Sequence, residues 1–411
     1  VISSAKRQWP APVRALSHRN FQVYFVGQGL STLGKWIQQV ALSWLAYHLT
    51  GSAVLLGAIA FLTLLPQLLI GPLAGAWSDR HDKRRLLIGV QTLLALQSLA
   101  LAVLTWQHWM GQEVIIVMSL LLGLLNALET PLRQALIGGF VDDPKDLPNA
   151  LVLNAMLINA ARFVGPPLAG FLINWCGEAG CFLATSVAFG MLLVGLMKIK
   201  SAPQPKAKGS TGQIFREGLR YLWTTVHVRR LLISVIMVNL LASCYSVLLP
   251  ILAKNVFAGD AQTLGWLWGA AGAGAFVATL YLAFAGSSSN LHRIIFWGTV
   301  VCALSLCAVA ANPPLILTLL ALSGLGFGIT ISNVSSNMTL QSNAPEVLRG
   351  RVIAFYIAMR FGFEAVGGLL AGMIAAALGV QMTLLIAGSL LAVYLLVSWQ
   401  FARGSVQHEE A

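Results

Sequence analysis

The chain has 411 residues, 57% of them hydrophobic and only 10% charged, with a mean hydropathy of +0.77 and a formal net charge of +12. A soluble globular domain carries about 25% charged residues, so a water-soluble fold is excluded. The bases sit in short segments between apolar runs rather than in one patch, which argues against nucleic acid as a partner and reads instead as membrane topology.

A transmembrane helix needs roughly 20 apolar residues. Twelve runs meet that requirement, near 22–48, 52–76, 86–106, 114–137, 149–174, 180–198, 230–252, 263–285, 292–310, 313–339, 352–378 and 381–401. Residues 1–20 are basic, and the apolar run after them is too long for the core of a cleavable signal. The first run carries Gln28, Thr32, Lys35 and Gln39 at helical spacing, a face that avoids lipid. Residues 71–85 then form a charged hinge, expected as a tight turn in water on the cytoplasmic side. There Gly75 would let the flanking helices turn closely, and Asp79 would cap the next one.

The fourth run holds Asn126, Glu129 and Arg133, the last two spaced for an ion pair on one face. The fifth places Arg162 three residues before Gly165-Pro166-Pro167-Leu168-Ala169-Gly170. Cys176 and Cys181 flank the following turn, and a disulfide and two free thiols fit equally. Cys244, Cys302 and Cys307 fall inside spans as small packing residues. Residues 201–229 read as a cytoplasmic linker whose segment 214–223 suits an amphipathic helix lying on the inner leaflet. Asn239, Ser243 and Ser246 stripe the seventh run, and Asn333, Asn337 and Gln341 the tenth. The eleventh carries Arg360 and Glu364, again four apart.

Two six-helix halves, residues 1–200 and 230–411, therefore flank the linker. They echo one another: Gly165–Gly170 aligns with Gly367–Gly372, and the hinge returns in degraded form at Gly286–Arg293, with Asn290 in place of an acid. One set of loops holds nearly all the loop bases and the opposite set holds Lys254 alone, which places both termini in the cytoplasm.

The hinge with Gly75, Asp79, Arg80, Lys83, Arg84 and Arg85 resembles the loop between the second and third helices of major facilitator superfamily transporters. It departs from that pattern at Asp82, where the family has Gly, and at Lys83. Residues 161–170 resemble, in part, a signature of drug:proton antiporters. Thr130–Leu136, Asp146–Ala150, Asn154, Arg162 and Leu348–Val352 resemble the enterobactin-exporter and macrolide-efflux branch. The resemblance implies an all-α membrane protein with twelve transmembrane helices in two pseudo-symmetric six-helix bundles. It further implies a monomer in the bacterial inner membrane, with Gly75, Asp79, Arg80 and Arg84 as a gate latch. Spans one, four, seven and ten would line a cavity with Gln28, Thr32, Gln39, Asn126, Asn239, Asn333 and Asn337.

Ionisable groups within spans cost at least about 2.5 kcal/mol each at mid-bilayer. Lys35, Glu129, Arg133, Arg162, Arg360 and Glu364 are therefore the candidates for substrate binding and proton coupling. Glu364 is the first candidate proton carrier and Glu129 the second; Lys35 and Arg162 have no partner on their own helices. Such a cationic cavity suits a partly anionic, siderophore-like substrate exported by alternating access. Macrolide or multidrug efflux and lysophospholipid transport are the rival readings. No metal-spaced His/Cys set, nucleophile elbow or phosphate loop is present in the sequence. The expectation is thus neither an enzyme nor a cofactor- or metal-binding protein, but one driven by a proton gradient.

Overall fold

The computed structural model describes residues 11–78, 81–199, 225–285, 290–344 and 346–407. After a short 3-10 turn at Ala11–Ser17 come α1 (Arg19–Thr50), α2 (Ala53–Ser78), α3 (Lys83–Trp106) and α4 (Gln112–Leu136). A continuous run, Leu147–Lys198, then breaks at Gly177, whose φ of 70° and ψ of 177° suit a residue without Cβ. The break divides it into α5 (147–176) and α6 (178–198).

The seventh span is discontinuous. Here α7 starts as Val226–Met237, passes through a π-helical turn at Val238–Ala242, restarts as Tyr245–Ile251 and ends in a second π turn at Leu252–Val256. The one local signal is Pro250, which has no backbone N–H to give and lies between the restart and the second π turn. The remaining helices are α8 (Ala261–Ala285), α9 (Leu291–Ala310), α10 (Leu315–Asn343), α11 (Glu346–Leu378) and α12 (Val380–Gln407).

Among the described residues all regular structure is helical, and ten helices are long and apolar enough to cross a membrane. The bent run contributes two crossing segments to that set. Helix α1 falls outside it because buried Gln28, Ser31, Thr32 and Gln38 lower its hydropathy, yet it packs closely on the bent run. Twelve spans result. The outward faces leave large apolar side chains such as Trp175 and Phe284 exposed, as lipid contact requires.

Several expectations are corrected. Helix α2 continues to Ser78, so Gly75 lies in a helix rather than in the turn expected of it. The cap of α3 is Asp82, which accepts bonds from the backbone N–H of Arg84 and Arg85 at 3.0 and 3.2 Å. Asp79, Arg80 and the amphipathic segment 214–223 lie outside the described residues. Cys176 and Cys181 are free thiols, the first exposed and the second buried.

Helix α2 packs on α11 and α5 on α8, and these two pairs join the halves. Both contacts depend on glycine. A Cβ at Gly170 would stand 2.6 Å from the Ala261 carbonyl oxygen, and one at Gly372 would stand 2.5 Å from that of Ala53. On the base-poor side the halves are also tied by side chains: the Asn255 amide donates to the Tyr47 hydroxyl (2.7 Å) and the Asn174 amide to Asp260 (2.7 Å). Lys254 sits 5.6 Å from the centre of the Tyr47 ring. Toward the basic side, α2, α4 and α11 part around a cavity of about 220 Å³ lined by Gln67, Thr130, Gln134 and Ile357. The inter-half contacts above thus gather at the base-poor end, and this cavity lies toward the basic one.

Candidate functional site

Two charged clusters occupy the interior. In the first, Glu129 is 0% exposed and lies between two cations. Lys35 Nζ on α1 is 3.0 Å from Glu129 Oε2, and Arg133 Nε, one turn along α4, is 3.1 Å from Oε1. The expected pair is thus a triad, and Lys35 finds across the helix interface the carboxylate its own helix lacks. Burial of a lone carboxylate costs several kcal/mol; two counter-charges offset that penalty. Tyr24 extends the cluster, within electrostatic reach of Arg133 and donating its hydroxyl to Asn154 at 3.2 Å. Tyr24 was not legible as a site residue, because a tyrosine in an apolar run looks like core.

The second cluster spans both halves. Arg162 of α5 lies 5.8 Å from the centre of the Trp36 ring on α1 and within electrostatic reach of Tyr245, just past the break in α7. Tyr245 and Trp36 both approach Trp268 of α8, with ring centres 6.0 and 5.6 Å away. Opposite, Glu364 of α11 is within electrostatic reach of Arg360 and Arg162. The spacing of Arg360 and Glu364 suggests an ion pair, but none forms within 4 Å among the described residues. Arg360 instead places its guanidinium 5.1 Å from the centre of the Phe361 ring. Among the described residues, Arg360 Nε and Trp268 Nε1 are buried donors without an acceptor. Two cations, one half-buried carboxylate and two donors with no acceptor among the described residues therefore meet between the halves.

The polar stripes divide. Asn239 and Asn333 pair reciprocally, amide to amide, at 2.9 and 3.2 Å, and both are buried. They therefore join α7 to α10 rather than line a cavity. Gln28 is buried too and donates to Thr32 (3.0 Å). Gln39, Asn126 and Asn337 are half-buried, and Asn337 accepts from Gln341 (3.1 Å). Of the latch residues, Arg84 caps the end of α6 by donating to the carbonyls of Leu196 (3.0 Å) and Met197 (2.8 Å).

A polar cluster also lies at the basic end, outside the spans. Arg14 pairs with Asp146, the Ala15 N–H donates to Asn149 (2.8 Å), and the His18 ring bonds Asp146 (2.9 Å) and Asp142 (3.2 Å). Desolvation opposes the charged His18, but its bonds to the two aspartates and their charges outweigh it and raise its pKa. The His18 bond, with Arg14 beside it, holds Asp146 below the usual carboxylate range despite desolvation.

Two pseudo-symmetric helix bundles around buried charge define a major facilitator transporter of the efflux branch. The chain matches the family described as transmembrane secretion effector over residues 10–410 and belongs to it. It is 26% identical over 370 residues to the staphyloferrin A transporter of Staphylococcus aureus, covering 89% of this chain and 92% of that one. It is 26% identical over 368 residues to the multidrug efflux pump Tap of Mycolicibacterium fortuitum, covering 86% and 88%. A solved bacterial homologue of the human lysosomal transporter Spinster, inward-facing and unoccupied, shares the fold with a TM-score of 0.73 at 12% identity, over 94% of this chain and 98% of that one. The protein is thus a multi-pass membrane exporter.

Proposed function

We propose that this exporter moves an anionic, amphipathic small molecule of the siderophore type across the bacterial inner membrane, driven by proton entry. The observation that carries the reading is the cross-half cluster of Arg162, Arg360 and Glu364, with its orphan donors and aromatic walls. Alternating access requires a mid-membrane site shared by both halves, and this cluster is shared. The staphyloferrin A transporter among its relatives supports the same substrate class. Glu129 commits both oxygens to Lys35 and Arg133, whereas Glu364 has no ion pair among the described residues and is the carboxylate available to exchange a proton. Substrate anion and Glu364 would then compete for the two arginines, which couples the movements of each. The protein acts as a monomer without a bound cofactor, both termini in the cytoplasm.

The test is uptake into inside-out vesicles. A carboxylate siderophore should accumulate under a pH gradient, and Glu364→Gln should abolish the gradient dependence; full gradient-driven uptake by that variant would refute the coupling. Multidrug efflux is the second reading, favoured by the aromatic group of Trp36, Tyr245 and Trp268 and by the relative Tap. Accumulation of a cationic drug but no siderophore would select it.

A further inference from the structure

The faded second copy of the hinge takes no part in the transport reading, and its surroundings differ from the first. In the first copy, Asp82 caps α3 and pairs with Arg85 three residues later, at 3.3 Å. At the equivalent place Asn290 caps α9, accepting from the Arg293 N–H at 3.3 Å. An amide brings no charge, and among the described residues no ion pair involves Arg293. Arg293 lines the mouth of a groove of about 540 Å³ between α8, α9 and α10, walled by Tyr281, Ile294, Trp297, Val301, Phe327 and Ile331.

The groove faces outward, toward lipid. Trp297 is 55% and Tyr281 49% exposed, and Tyr281 meets Phe327 edge-on with ring centres 6.4 Å apart. From Asn290 to Val301 the helix rises about 16 Å, so the groove runs from the membrane surface on the basic side into the apolar core. A base at the mouth and an apolar, aromatic floor match one occupant, a lipid with an anionic head.

We propose that this groove holds an anionic phospholipid of the leaflet on the basic side, with its phosphate on Arg293 and an acyl chain along Trp297, Val301 and Phe327. The charge sets the preference for the head and the walls hold the chain. A base near the surface contributes about 1 kcal/mol toward an anionic lipid, or about fivefold in affinity.

The experiment is native mass spectrometry of the full chain released from nanodiscs of phosphatidylglycerol and phosphatidylcholine in equal parts. The wild type should retain phosphatidylglycerol preferentially. Arg293→Gln should lower that preference by about fivefold, while Arg85→Gln, whose base has its own carboxylate, should leave it intact. Trp297→Ala should reduce retention of phosphatidylglycerol with the charge still present. Arg293 and Trp297 are both exposed, and melting curves of each variant check that folding is preserved. Equal retention by wild type and Arg293→Gln overturns the site, as does displacement of the lipid by inorganic phosphate alone.

Discussion

Gly170 and Gly372 hold equivalent positions in the two halves, and each lies against the first residue of a helix in the opposite half. Gly170 of α5 meets Ala261 at the start of α8, and Gly372 of α11 meets Ala53 at the start of α2. The repeated glycine motif therefore brings helices of the two halves into close contact at the base-poor end, twice, by pseudo-symmetry. Backbones this close fit only without side chains between them.

Enlarging either glycine should open that face. Overpacking a close contact costs about 1–3 kcal/mol, which would shift the closed state's population by roughly 5–150-fold. Gly372→Leu should accelerate maleimide labelling of a cysteine placed at Asn255 in a Cys176→Ser background, while leaving helix content unchanged. Unaltered labelling would separate the glycine from the gate.

Breaking the first cluster should be a stability defect. Glu129→Gln leaves the half-buried Lys35 and Arg133 without a counter-charge, a loss approaching the roughly 3–5 kcal/mol of a fully buried pair. Its melting temperature in detergent should fall well below that of Glu364→Gln, which breaks no ion pair. Adding Lys35→Met to Glu129→Gln should recover part of the loss, because one of the two stranded charges is removed.

The polar cluster at the basic end gives a pH window. His18 has a raised folded pKa, so its contribution is fully present below the unfolded value of about 6.5 and is lost as pH rises through the folded value. Asp146 has a lowered folded pKa, so its contribution is present above about 3.9 and is lost as pH falls through the folded value. Ala11–Ser17 should therefore be held most firmly in mildly acidic solution. Hydrogen exchange across that segment should quicken with mild alkalinity beyond the ordinary base-catalysed rise, and His18→Gln should remove the excess.

The amide pair should behave as packing. A double-mutant cycle of Asn239→Ala and Asn333→Ala, read by thermal unfolding, should give a coupling of about 0.6–1.7 kcal/mol, the range for hydrogen bonds between membrane helices. Transport of substrate should fall only in proportion to folded protein.

The sequence alone marked out the apolar spans, because a bilayer punishes every exposed polar group and so writes helix length directly into composition. It also selected the ionisable residues, since charges in spans are rare for the same energetic reason. What tertiary structure decided was pairing. Glu129 lies between Lys35 and Arg133, Arg162 meets Trp36 and Tyr245 and not a partner on its own helix, and Arg360 and Glu364 remain apart despite ideal spacing. Helical periodicity says which face a side chain shares, not which helix that face meets. The break in α7 that brings Tyr245 to Arg162, and the burial of Asn239 against Asn333, follow from contacts between spans nearly a hundred residues apart, which no local pattern encodes.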